Sequence, residues 1–420
     1  MTRTLKTQIV VAVAIIVLMV WWGFSMPAKS AWYLVSGLLI GYILTRSRFG
    51  FAGGVKRPYM TGDTSLNEAL FFMFVITAVV VAVIQWKAAA GGAVLASQVT
   101  EGLKAIPGTD SVKPFDIGII VGGFLFGGGM ILAGGCASGT LSDLGEGAVR
   151  SLIAFAFYLI GAPIGHWLRF VYNKSDNKII SYTLYLPDKL GYFWSVVLIA
   201  VLFLILYYIV KSYSYKRKKA GTFIKPEYEE IEKGLDYDSA PFFSYETYHR
   251  LFIKRWSFMR GGLLLAIMFI FVLVQTDKMW GVTSAFTTMA VAIFSRLGID
   301  FEAIGGFTNE IKQASNLFEH TGTIRNIGII LGAAISFLLA GRFKLDYDFD
   351  FKDGALYAFG GLIMGIGARF ARGCNVGALY SAITSFSIHG WGFLVFMTIG
   401  GIAFLKFFEG RCGIIPKRKL

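Results

Sequence analysis

Two cysteines stand at matched places in a repeated, glycine-rich apolar segment. Residues 122–139 read GGFLFGGGMILAGGCASG, and residues 360–377 read GGLIMGIGARFARGCNVG. Cys136 falls on Cys374 at a shift of 238 positions (374 − 136 = 238), and the flanking Gly135 and Gly139 fall on Gly373 and Gly377. A thiol is a weak S–H donor and a soft acceptor, so it suits a sulfur-bearing solute better than a hard oxyanion. Small neighbours leave each thiol open to a ligand. If a half-helix starts at the cysteine, its first amides and its dipole also favour an anion there. A lone buried cysteine is ordinarily a small packing residue, and glycine ridges are ordinary helix contacts. Duplication at equivalent positions moves the balance toward a shared role.

Polar residues lie close to both thiols. Ser138 and Asn375 are within two residues of Cys136 and Cys374 and can hydrogen-bond a solute. Arg369 and Arg372 are three apart, so a continuous helix would put them on one face leading to Cys374. There they can attract an anion, snorkel, or pair with a carboxylate. Asp143 and Glu146 read as solvated or capping residues, and His389 as an interfacial one near Trp391. Cys412 has no repeat partner and reads as packing. The four His and three Cys show no metal-ligand spacing, no nucleophile–base pair stands out, and no Lys-Ser/Thr follows the glycine run to make a phosphate loop. The expectation is therefore no metal and no cofactor.

The elements that hold these residues are membrane helices. The 420 residues are 55% hydrophobic and 16% charged, with mean hydropathy +0.62. A soluble domain carries about 25% charged residues. Apolar runs bounded by charges cover 9–24, 31–45, 68–86, 149–171, 191–210, 261–275, 281–297, 325–341 and 391–408, with the motif regions at 117–148 and 355–388. The 9–24 run resembles a signal peptide, but another span follows at once, so it reads as a retained helix. The formal charge of +14 sits beside apolar runs, in KRKK (216–219) and in the terminal PKRKL. That is the positive-inside pattern, and it argues against nucleic-acid binding.

The repeat implies two pseudo-symmetric halves. We expect a first membrane repeat over 1–190, a linking helix and polar cytoplasmic loop over 191–258, and a second repeat over 259–420. If both motif regions cross the bilayer, eleven crossings and parallel halves follow. If both enter and return as re-entrant broken helices, nine crossings and inverted halves follow. Glycine content and the basic loop and tail favour the second. Its cost is that Arg3, Lys6 and the Arg46/Arg48/Lys56/Arg57 cluster fall outside. The fold class is thus an all-α polytopic membrane protein with about nine spanning helices.

The segments LAGGCASG…EG (132–147) and GARFARGCNVGAL…FSIHGW (367–391) resemble those of the YeeE/YedE family of bacterial sulfur-transport membrane proteins, and SRFGFAGG (47–54) is similar to its third motif. The resemblance implies an inner-membrane permease of inverted repeats for thiosulfate or a related anion. It also implies cysteines that hold the ion through S–H···S contacts along a narrow path, with a small TusA-type cytosolic sulfur carrier as partner. The family's third pathway cysteine has Gly50 in its place here, so only Cys136 and Cys374 carry over. Selenium compounds are a second substrate class within the resemblance. A membrane sulfurtransferase or thiol-redox protein is the alternative reading, and a structural membrane protein a third.

Overall fold

The computed structural model describes residues 3–175, 180–225, 229–235, 237 and 241–418. Parts of the linker's acidic run (Glu227, Tyr228, Asp236, Asp238) and the last two residues of PKRKL lie outside the described residues. The described chain is mainly helical, with loops between the helices, a two-residue ladder of Phe115–Asp116 against Ser181–Tyr182, and a few isolated bridges. The first half comprises α1 (Arg3–Ser25), α2 (Ala28–Ser47), the short α3 (Gly53–Thr61), α4 (Ser65–Ala90), α5 (Ile117–Leu132), α6 (Ala137–Glu146) and α7 (Val149–Lys174). Then come α8 (Leu186–Lys219), α9 (Tyr245–Tyr248) and α10 (Phe258–Thr276). The remainder is α11 (Thr283–Arg296), α12 (Phe301–Ile304), α13 (Thr308–Ala314), α14 (Thr321–Leu339), α15 (Phe351–Phe370), a π-helical turn at Asn375–Ser381, α16 (Ala382–Thr384) and α17 (Ile388–Phe408).

Local chemistry sets the ends of these helices. Asp116 caps α5 by accepting from the amides of Gly118 and Ile119, which satisfies donors a helix start leaves free. Pro27 precedes α2, and Arg48 ends it in a left-handed conformation at φ 52°. In α8 the apolar run gives way to four basic residues, Lys216–Lys219, in the last turn, where cations favour the helix dipole.

Contacts give each helix its direction. In α5 and α15, Gly122 lies against Gly367 and Ala371 while Gly129 lies against Gly360 and Met364, so the two motif helices cross antiparallel. Helix α7 runs parallel to α15 (Ala154 at Gly361, Tyr158 at Gly365), and α2 parallel to α14 (Arg325 at Gly37, Ile329 at Gly41). Helix α8 is antiparallel to α4, with Lys211 on Glu68 and Tyr185 on Gln85. Helix α1 is antiparallel to α14, with Leu5 at Gly341 and Met19 near Ile324.

These contacts come in matched pairs. Packing of α7 on α15 answers α17 on α5; α2 on α14 answers α10 on α4; α1 on α14 answers α8 on α4; α3 on α17 answers α11 on α7. In the motif pair itself, α5 and α15 run in opposite directions.

Among the described residues, eight helices are long and apolar enough to cross a membrane alone, and nine with the bent α15–α16 pair. Helix α2, 20 residues long and packed along α14, completes an alternating set among the described residues. Two expectations change. The 281–297 run is not a span, because α11 has 14 residues and reaches only about 21 Å of the roughly 30 Å needed. The motif regions are broken at their cysteines, as expected, but they do not double back. Ile117–Glu146 forms one 30-residue span, and the second motif runs on past a 40° bend.

The added crossing removes the cost noted above. Arg3, Lys6 and the Arg46–Arg57 cluster share one face with Lys216–Lys219 and the C-terminal tail. Arg217 bonds the Tyr59 carbonyl at 3.0 Å, and Gln8 the Phe343 carbonyl at 2.9 Å, across that face.

Close helix approach rests on glycine. A Cβ at Gly361 would stand 2.1 Å from the Ala154 carbonyl oxygen, and one at Gly127 2.0 Å from that of Met397. Lipid is as apolar as leucine, so such contacts, not burial of oily surface, hold the bundle.

Candidate functional site

The two thiols stand at two copies of one backbone break. Helix α5 ends at Leu132, Gly134 turns left-handed at φ 80°, and Cys136 caps the start of α6. Helix α15 ends at Phe370, Arg372 turns left-handed at φ 67°, and Cys374 precedes the π-helical turn. Gly134 and Arg372 are themselves 238 apart (372 − 134 = 238), so one bend is built once from glycine and once from arginine. The second costs about 1–2 kcal/mol that glycine avoids. Breaking a helix at this depth frees backbone amides, and protein surrounds both sites.

Both thiols are 1% exposed, and they interact electrostatically with each other. Cys136 Sγ is 3.4 Å from Ser138 Oγ, and Thr140 donates its amide to the Cys136 carbonyl at 2.8 Å. At the other break the amides of Gly377 and Val376 reach the Cys374 sulfur. Asn375 donates to Met130 Sδ of α5 at 3.6 Å and leaves its Oδ1 unpartnered. A Cβ at Gly377 would meet nothing within 4 Å, and one at Gly139 would meet only Cys136 Sγ at 3.7 Å. A Cβ on Gly135 would have ordinary contacts from 3.6 Å outward, whereas one on Gly373 would stand 2.5 Å from the Ala378 amide nitrogen. Space around the thiols therefore lies on the Gly139 and Gly377 sides, and Gly373 is a packing requirement.

The arginines do not share a face. The helix stops between them, and the left-handed Arg372 swings to Asp116 (3.2 Å) and Asn173 (3.3 Å), beside the Arg169–Asp116 pair at 2.7 Å. Arg369 reaches other partners, His166 Nδ1 at 3.0 Å and Glu310 at 3.9 Å. Each guanidinium thus has a carboxylate neighbour. Nor are the acids free: Glu146 pairs with Arg48 at 2.8 Å and Asp143 with Arg150 at 3.3 Å. His389, in the first turn of α17, is 2% exposed and bonded to Ser387 Oγ at 2.7 Å. Cys412 is half-buried behind Phe408. Among the described residues no group of three or more His, Cys, Asp or Glu can hold a metal ion.

Sequence reading missed three features of the site. Tyr158 of α7 is 1% exposed and interacts electrostatically with both thiols. Its signal in sequence is only one aromatic among many. The Asp116–Arg169–Arg372 and His166–Glu310–Arg369 clusters join residues 53–256 positions apart, which no local spacing reveals.

The third is the linker's clamp on the basic face. Arg48 holds Glu146 of α6 together with Glu232 (3.2 Å) and Glu229 (3.4 Å) of the linker, and Arg342 also grips both linker acids. Burial alone would raise the Glu232 carboxyl, but Arg48, Arg342 and Arg255 outweigh it and hold it below the usual carboxylate range.

The family described as Sulphur transport matches residues 46–403. The thiosulfate transporter TsuA of Spirochaeta thermophila is 28% identical over 384 residues, covering 87% of this chain and 95% of its own. The thiosulfate transporter TsuA of Escherichia coli K12 is 25% identical over 377 residues, covering 87% and 91%. The probable transporter YedE of the same organism is 28% identical over 168 residues, 40% of each chain.

Proposed function

The chain belongs to the Sulphur transport family, and on that premise we propose that it is a permease carrying thiosulfate, or a closely related sulfur-containing anion, across a bacterial inner membrane. The observation that carries the reading is the pair of buried thiols at matched helix breaks, Cys136 and Cys374, in a chain collinear with two thiosulfate transporters over 87% of its length. Thiols at both breaks offer the anion's soft terminal sulfur an S–H donor on each side of the bundle centre. Ser138 and Asn375 offer hydrogen bonds to its oxygens. Gly139 and Gly377 leave room, and Gly135 and Gly373 shape the backbone. Arg369 and Arg372, held by carboxylates, set the field near Cys374 instead of binding the ion directly.

The repeat is read as residues 1–190 and 259–420 with the 191–258 segment between them. The match of α8 on α4 with α1 on α14 favours counting α8 with the second half. The basic face is assigned to the cytoplasm by the positive-inside rule. That puts the linker clamp at the inner mouth, where a TusA-like carrier would collect sulfur. No carboxylate–histidine chain crosses the bundle among the described residues, so transport is read as facilitated and drawn by cytosolic consumption. The chain is read as no enzyme. Persistent sulfur on Cys136 or Cys374 after turnover would favour the sulfurtransferase alternative.

The test is uptake of labelled thiosulfate by wild type, Cys136→Ala and Cys374→Ala at matched expression. Uptake by wild type that collapses in both variants supports the reading. A wild type that carries no thiosulfate moves the assignment to selenium compounds or sulfite. Undiminished uptake in both variants sinks the cysteine path.

A further inference from the structure

Beside the motif helix α15, the structure holds a buried polar group with no partner. Tyr158 lies on α7 where that helix crosses α15, with its carbonyl oxygen 2.5 Å from the position a Cβ would take on Gly365. Its ring stands edge-on to Phe286 at 5.0 Å, fixing the side chain, and the residue is 1% exposed. The hydroxyl nevertheless meets no hydrogen-bond acceptor or donor. A buried unpaired hydroxyl costs about 1–3 kcal/mol, and phenylalanine would fill the same space without that cost. Its electrostatic neighbours are Cys374, Arg369 and Cys136, drawn from both breaks.

Internal symmetry makes the point sharper. The position 238 residues on is Phe396, the same ring without the hydroxyl. The cysteines are duplicated, but the hydroxyl is supplied from one side only. Thiosulfate is itself unsymmetrical, with one soft sulfur end and three hard oxygens. Thiols match the sulfur, and an O–H donor matches an oxygen.

We propose that Tyr158 is a substrate-positioning residue, its unpartnered hydroxyl donating to an oxygen of the anion whose terminal sulfur the cysteines hold. This rests on the thiosulfate reading above. On it, Tyr158 sets which end of the ion faces which cysteine, and it selects oxygen-bearing sulfur anions over hydrosulfide.

The test is Tyr158→Phe in proteoliposomes, reading the KM and maximal rate of labelled thiosulfate uptake, inhibition by hydrosulfide, and the melting temperature. Losing one hydrogen bond to a charged ligand should raise KM about tenfold. The maximal rate should stay within about twofold, and hydrosulfide, which has no oxygen, should inhibit as before. Melting should be unchanged or higher, since the variant removes an unpaired group. An unchanged KM overturns the proposal. So does an equal weakening of both anions, or a variant that melts early or fails to fold, because each marks a structural hydroxyl. A wild type that carries no thiosulfate is told apart at once, since it fails before any substitution is made.

Discussion

Restoring a thiol at Gly50 is the sharpest test of where the path runs. Gly50 sits in the turn after α2, between the buried Phe49 and Phe51, and Phe51 stacks edge-on at 6.4 Å against Tyr380 beyond the second cysteine. A Cβ there would meet nothing within 4 Å, and its φ is not in the left-handed region. A cysteine side chain at this position therefore fits without strain. The stability change expected for Gly50→Cys lies within about 0.5 kcal/mol, any gain coming from a less free unfolded chain. Gly53→Cys is the contrast, because its Cβ would lie 2.7 Å from Leu66 Cδ2.

The assay is alkylation of Gly50→Cys by a small membrane-impermeant reagent applied from either side, followed by thiosulfate uptake. Cys136 and Cys374 are 1% exposed and should label slowly. The expected result is a thiol that labels from the basic face, is protected by thiosulfate, and blocks uptake once modified. Efficient labelling with unchanged uptake, or no protection at saturating thiosulfate, would refute the placement of Gly50 on the path.

Two further outcomes follow from the packing and the linker clamp. Gly361→Val should cost about 3 kcal/mol or abolish folding, because even a Cβ would stand 2.1 Å from the Ala154 carbonyl, whereas Gly281→Ala, with nothing within 4 Å, should melt like wild type; thermal melts in detergent decide it. Glu232 has its carboxyl held low, so its contribution is complete above the unfolded carboxylate pKa of about 4.3 and is lost as pH falls through the lower folded value. Glu232→Gln should release the clamp at every pH, costing about 3 kcal/mol locally. Hydrogen exchange at Ile231–Lys233 and His249–Ile253 should then match the acid-treated wild type at neutral pH, and equal protection in both proteins would remove the clamp.

Composition and duplication alone determined the class and singled out the pair of cysteines. Those properties are one-dimensional: hydropathy fixes what lies in lipid, and a gapless shift of 238 residues fixes what is equivalent to what. The helix breaks were also legible, since glycine clusters before Cys136 and Cys374 mark where a helix can stop. What each break does was not. Whether a segment turns back depends on what packs beside it, and α6 is carried onward by Gly145 lying against Ile330 and Ala333 of α14. The crossing count likewise turned on α11, whose 281–297 run has a span's composition but whose helix stops at Arg296 and leads back through α12 and α13. The fates of Arg369 and Arg372 depended on a single left-handed residue, and their partners Asp116, His166 and Glu310 lie far off in sequence. Local spacing records which groups a chain carries. Only the antiparallel crossing of α5 with α15 decides which of them meet, because it brings together segments far apart in sequence.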